Sequence, residues 1–324
     1  MLRILFNMCD TLYFAGIAGD AWQALKDGLG TVGSWAASWV GKLIAFFFGD
    51  MFRSAIKSNL MGIFEDVNAK VNMAGDVLGQ TPNDWNSTVF GIVKNINGTV
   101  VIPIAGMILT AVLCFELIQM IVDRNNFNNG DTFPIFKFVL KAWCSIWFVT
   151  HAFDFIMAAF DIAQYIIGNV TGLVTSQQGI SNDQIMSLMQ SIEQENNVGI
   201  LLQVLVEVCV IRFILFAVAA CILIAVYGRF FEIYVYSSVA SIPFATLGNK
   251  EWGQIGTNYI KGIFALGLQG VFMMIAIGIY ATLIKNVPMD NLHTFLLMLC
   301  VLGVLLCKML FSCGSLAKSV MNAH

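Results

Sequence analysis

The chain has 324 residues, of which 58% are hydrophobic and 11% charged, against about 25% charged in an ordinary soluble domain. That balance excludes a soluble globule, which could not hide so much apolar surface, and makes lipid the solvent. A formal net charge of −3 with 17 scattered Lys and Arg residues leaves no basic patch of the kind that grips nucleic acid.

From Met1 to Asp20 there is one Arg but no long unbroken apolar core followed by a small-residue cleavage site, so no cleaved signal peptide is expected. Gly28 to Phe48 is apolar, interrupted by Lys42, and carries Trp35 and Trp39. It reads either as a sixth span or, preferably, as an interfacial helix with aromatic anchors. Leu60, Ile63, Phe64, Val67, Val71, Ala74 and Leu78 then recur at three- and four-residue spacing, and Gly79 supplies a stop. The spacing predicts an amphipathic helix that needs a partner or a membrane surface. Residues 1–97 are thus expected to form an extracytoplasmic, helical N-terminal region.

Apolar stretches long enough to cross a hydrocarbon layer ~30 Å thick follow in residues 98–324. They are Thr99 to Val122, Phe133 to about Met157, Gly199 to Tyr227, Ile260 to Ile284 and Leu292 to Phe311. A transmembrane barrel would alternate apolar and polar residues over ~10-residue units, and these runs are continuous and longer. The predicted fold is therefore all-α and polytopic. Gly168 to Val198 contains no Lys or Arg, which places this loop, 168–198, outside. Arg124, Lys137 and Lys141 flank one cytoplasmic connection, and Arg229, Lys250 and Lys261 mark another, the loop 228–259. The C-terminus, with Lys318, then falls in the cytoplasm.

Within the outer loop, Ser181 and Gln184 form a capping box, and Ile185, Leu188, Met189 and Ile192 lie on one apolar stripe. A short helix there is expected to dock an extracytoplasmic partner.

A central charge in a span costs ~2.5 to 3.5 kcal/mol on insertion scales, so Glu116, Glu207 and Arg212 are candidates for assembly or for lining a conduit. Glu207 and Arg212 stand about 140° apart around a helix, so each is expected to meet another helix or subunit. His151, Asp154, Asp161 and Gln164 share one side of the second span, a pattern that suits a proton relay, although its lower end extends into water. Between the third and fourth spans, Gly248 with Asn249 signals a turn, and Gly262, Gly267 and Gly270 permit close helix approach. The G-x-x-x-x-G-K-[ST] order of a phosphate loop is absent. Trp252 suits an interfacial anchor or a docking contact for cytoplasmic machinery. The cysteines lie mostly inside apolar runs and show no CxxC pair, so they read as small buried hydrophobes. With histidine only at His151, His293 and His324, no catalytic constellation, cofactor or metal site is expected, and the chain does not read as an enzyme.

The segment Ala240 to Ile284, above all IPFATLGNKEWGQIGTNYIKGIFALGLQG, resembles the TrbL-like conjugal transfer proteins, related to the VirB-six inner-membrane subunit of type IV secretion systems. An external N-terminus, several spans, a central external loop and an internal C-terminus are similar to that family too. The resemblance implies a bacterial inner-membrane subunit, present as a homo-oligomer, that helps assemble a translocation channel and its extracellular conduit. It implies pilus or surface components and separate ATPases as partners, with DNA as cargo and lipid around the spans. The alternative is a secondary transporter or ion channel coupled through Glu116, Glu207 and Arg212.

Overall fold

A computed structural model describes residues 34–122, 133–175, 198–249, 251–287 and 292–323, with single positions between 186 and 193. The described residues are helical and include no strand, so the all-α expectation holds. In chain order the helices are α1 (Ser34–Leu78), α2 (Pro82–Trp85), α3 (Ser87–Ile96), α4 (Ile102–Val122), α5 (Phe133–Thr150), α6 (Ala152–Thr175), α7 (Val198–Ser238), α8 (Ser241–Thr246), α9 (Gly253–Lys285) and α10 (Leu292–Val320). Five helices are long and apolar enough to cross a membrane: Ser87–Val122, Ala152–Leu173, Val198–Ser238, Gly253–Lys285 and Leu292–Val320.

The second of these corrects the expected span from Phe133 to about Met157. The helix breaks at His151, which separates α5 from α6, and the candidate span is the part beyond that break. Thr150 Oγ bonds back to the carbonyls of Ile146 and Trp147 at 3.0 Å each, competition of the sort that bends helices at Ser and Thr. Helix also replaces much of the expected cytoplasmic loop 228–259, because α7 runs to Ser238 and α9 starts at Gly253. Among the stretch Gly28 to Phe48, residues from Ser34 onward belong to α1, which is not among the five candidate spans; residues 28–33 lie outside the described residues.

Two compact units divide the chain, each assembled from separated segments. One comprises Met1–Val71, Gln178–Ala220 and Tyr280–Leu305. Its buried side chains include Phe52, Ile56, Leu60 and Ile63 of α1, Leu201, Leu205 and Val208 of α7, and Phe295 and Leu299 of α10. Leu60 and Ile63 of the three- and four-residue spacing read along α1 are thus buried in this unit.

The other unit comprises Asn72–Gln177, Cys221–Ile279 and Leu306–His324. Here α1 ends at Leu78, where Gly79 N donates to Gly75 O at 3.0 Å. Thr81 and Asn86 cap α2 and α3 through their side-chain oxygens, at 3.2 Å to Asp84 N and 3.0 Å to Val89 N. A wide π turn, Asn97–Val101, separates α3 from α4. Its cause is Pro103, which cannot donate to the carbonyl four residues back and crowds it, so the ladder slips by one residue and Ile102 N bonds Asn97 O. Asn97 is buried in consequence and closes a polar chain: its Nδ2 donates to the terminal carbonyl of Ser238 at 3.0 Å, and Ser241 Oγ donates to its Oδ1 at 3.3 Å. An orphan carbonyl at the end of α7 is satisfied in this way.

Around α8 lies the core of this unit. Ala240, Phe244 and Ala245 pack with Ala105 and Leu109 of α4, Val149, Ala152, Ile156 and Phe160 of α5 and α6, and Ile263 and Leu266 of α9. Pro243 is tolerated because it sits in the first turn of α8, where its missing N–H has no helical partner to lose. Phe155 and Tyr259 meet the Phe244 ring edge-on at 5.7 Å and 6.3 Å. Removing that ring leaves a cavity that three helices line. Phe244→Ala is expected to cost about 3 to 5 kcal/mol and to lower the unfolding midpoint of the protein in detergent. An unchanged midpoint would contradict the packing.

Candidate functional site

Glu116 and Trp252, singled out separately from the sequence, are brought together in the second unit. Glu116 sits near the end of α4 with both carboxylate oxygens engaged. Lys141 Nζ of α5 lies 2.5 Å from Oε1, and Asn249 Nδ2 donates to Oε2 at 3.1 Å. Asn249 is buried, and its Oδ1 accepts the backbone N–H groups of Glu251 at 2.7 Å and Trp252 at 3.2 Å. One side chain therefore shapes the turn and ties it to the intramembrane carboxylate. Beside it Trp252 stacks on Phe115, ring centroids 5.9 Å apart and planes within 3°, and Gln119 Nε2 donates to Glu251 Oε1 at 3.1 Å. The result is a clamp that fastens α4, α5 and the α8–α9 turn at one end.

Gly256 lets the start of α9 come close enough for this. An added Cβ would fall 2.6 Å from the Pro243 carbonyl oxygen and from Leu247, and Gly256 N donates to Thr246 Oγ at 3.1 Å. Within the connection expected to be a cytoplasmic loop, Ala240, Ser241 and Phe244 to Thr246 are buried and Ile242 and Pro243 half-buried, and only beyond Asn249 do Glu251, Trp252 and Ile255 emerge. Its composition explains the correction: Ala240 to Leu247 is almost wholly small or apolar and can enter a core.

The other charges are handled one by one. Asp154 is exposed, with Lys94 Nζ at 3.7 Å, and pairs of that kind contribute little. His151 stacks on Trp147 at 4.9 Å, and its Nδ1 lies 3.0 Å from Thr150 Oγ. Gln164 turns inward and donates to the Gln80 carbonyl, whereas Asp154 and Asp161 face outward, so the four-residue stripe does not form one chain of contacts. In the first unit Glu207 pairs with His293, and Arg212 Nη1 donates to Asn59 Oδ1 at 2.6 Å, with Asp66 at 4.0 Å. Each meets another helix, as their spacing around α7 required. Of the docking stripe, Ile185, Leu188 and Met189 lie outside the described residues, and Ile192 is buried. Lys57 reaches Glu193 beside it at 2.9 Å.

Arg229, placed in a cytoplasmic loop by its charge, is a correction and a site residue that was missed. It lies in α7 and is 1% exposed. Its Nε donates to Leu266 O at 3.2 Å, and Nη1 has no partner among the described residues. A Cβ at Gly270 would occupy the guanidinium's space, so glycine there is what admits the side chain. Trp85 was missed as well; it stacks on Phe230 at 4.8 Å, while Tyr234 Oη donates to the Pro82 carbonyl at 2.6 Å. The signal available for both was an aromatic-rich run, Tyr227 to Tyr236, too dense for a surface loop.

A family model described as TrbL/VirB6 plasmid conjugal transfer like protein matches residues 67–241, just over half of the chain. The match ends where the segment that suggested this resemblance begins. No curated protein and no solved structure matches.

Because Glu116 and Lys141 are partly buried, stranding either charge costs more than removing both. Lys141→Met and Glu116→Gln are each expected to lower the unfolding midpoint more than the Glu116→Gln, Lys141→Met double variant does. Additive losses across that cycle, measured in detergent, would show that the two are uncoupled.

Proposed function

This chain belongs to the TrbL/VirB6 plasmid conjugal transfer like family, and from that membership we propose that it is a non-enzymatic scaffold of the translocation channel, present in several copies in the bacterial inner membrane. It is a multi-pass membrane subunit of a conjugal transfer or type IV secretion system. The family match carries the reading, since it takes in the candidate spans Ser87–Val122, Ala152–Leu173 and Val198–Ser238 whole.

The arrangement of charge supports a scaffold. Glu116, Glu207 and Arg212, which a coupled transporter would need free to titrate or to bind, are each engaged by a neighbouring side chain. Polar contacts made between helices of the same chain suit a part that holds shape while other subunits move. Separate ATPases supply the work, surface or pilus components extend the conduit, and DNA passes as cargo without being gripped by the scattered Lys and Arg residues. The exposed Trp252 and Ile255, held by the Glu116 clamp, offer the cytoplasmic side a fixed contact.

DNA transfer from donor cells with the gene deleted in frame tests the role. Transfer is expected to fall to background, to return fully with the intact gene, and to return at least tenfold less well with Trp252→Ala at equal protein level. Undiminished transfer from the deletion strain would discard the proposal.

A further inference from the structure

Two opposite charges stand exposed on the second unit in the middle of apolar helices. Asp161 lies in the candidate span Ala152–Leu173, and Lys308 in Leu292–Val320. Neither forms an ion pair among the described residues, whereas Glu116 does. An ionised side chain turned toward hydrocarbon is costly, so each of the two requires water or an opposite charge beyond this chain's own core. On the exposed side of α6 around Asp161, Ala158, Gly168 and Gly172 lie within about 60° of it, beside the exposed Tyr165, and a Cβ added at either glycine meets nothing within 4 Å. Gly-x-x-x-Gly spacing of this sort lets a second helix approach closely in a membrane. Lys308 shares its side of α10 with exposed Phe311 and Ser315.

We propose that Asp161 of one copy pairs with Lys308 of a second copy, joining α6 of the first to α10 of the second. This rests on the multicopy scaffold reading and names its contact. A lipid phosphate would satisfy Lys308 but not Asp161, while a second copy satisfies both. Each face against its own twin would set like charges together, so the contact runs head to tail.

The test uses the full-length chain in membranes, with its native cysteines replaced. Asp161→Cys and Lys308→Cys are placed in separately tagged copies and oxidised with copper phenanthroline. A disulfide-linked product carrying both tags is expected, and one chain holding both cysteines should give a ladder of multiples. In the unaltered cysteine background, Asp161→Lys should reduce co-purification of two tagged copies at least tenfold, and adding Lys308→Asp to the same chain should restore it. Four results would overturn the contact: a disulfide closing within one chain, a product with some other protein, no two-tag product although the copies co-purify, or an Asp161→Lys chain that associates normally. If the tagged copies never co-purify, the multicopy reading falls with it; if deletion still abolishes transfer, family membership and the need for this subunit stand.

Discussion

Hydrocarbon offers no hydrogen-bond partner, so a segment that enters it must satisfy its backbone through its own helix and bring a partner for each polar side chain. Most of the second unit follows from that constraint. Pro103 removes one helical donor, and the turn before it widens. The widened turn carries Asn97 inward, where it answers the free carbonyl at the end of α7 and meets Ser241 at the start of α8. From there the chain folds back through the core around Phe244 and leaves it at Asn249, whose side chain binds both the turn and the carboxylate of Glu116. One proline thus begins a polar path that is used to close the fold.

Long features were legible in the sequence and short ones were not. Apolar runs of some twenty residues and the repeat along α1 have enough length for their period to speak, and the expected all-α, five-span reading stands with one span moved. α8 has six residues, too few for any period, and Gly248 with Asn249 signalled only a turn. Arg229 was read from its charge alone, although Gly270 in the next span is what makes room for it. Glu116 and Trp252 were visible as a charge in a span and an aromatic beside glycines. Their partners Lys141, Asn249 and Phe115 were not, since which helices neighbour one another is a property of the whole fold.

The same constraint joins structure to role. A membrane subunit of a conjugation machine must keep its form in lipid, and partnered charges at helix contacts give it rigidity. Asp161 and Lys308 differ from Glu116 in standing exposed, which is why the proposed contact between copies is placed on them.

The central claim, that the connection after α7 is folded into the core and is not a surface loop, is tested most directly by thiol accessibility in intact and opened membranes. In a chain stripped of native cysteines, Ile255→Cys should react with a membrane-impermeant maleimide from one side only. Ala245→Cys, fully buried against α4, should stay unlabelled until the protein is denatured. Equal labelling of the two in the native membrane would return the segment to the surface and undo the clamp, the turn and the core built around it.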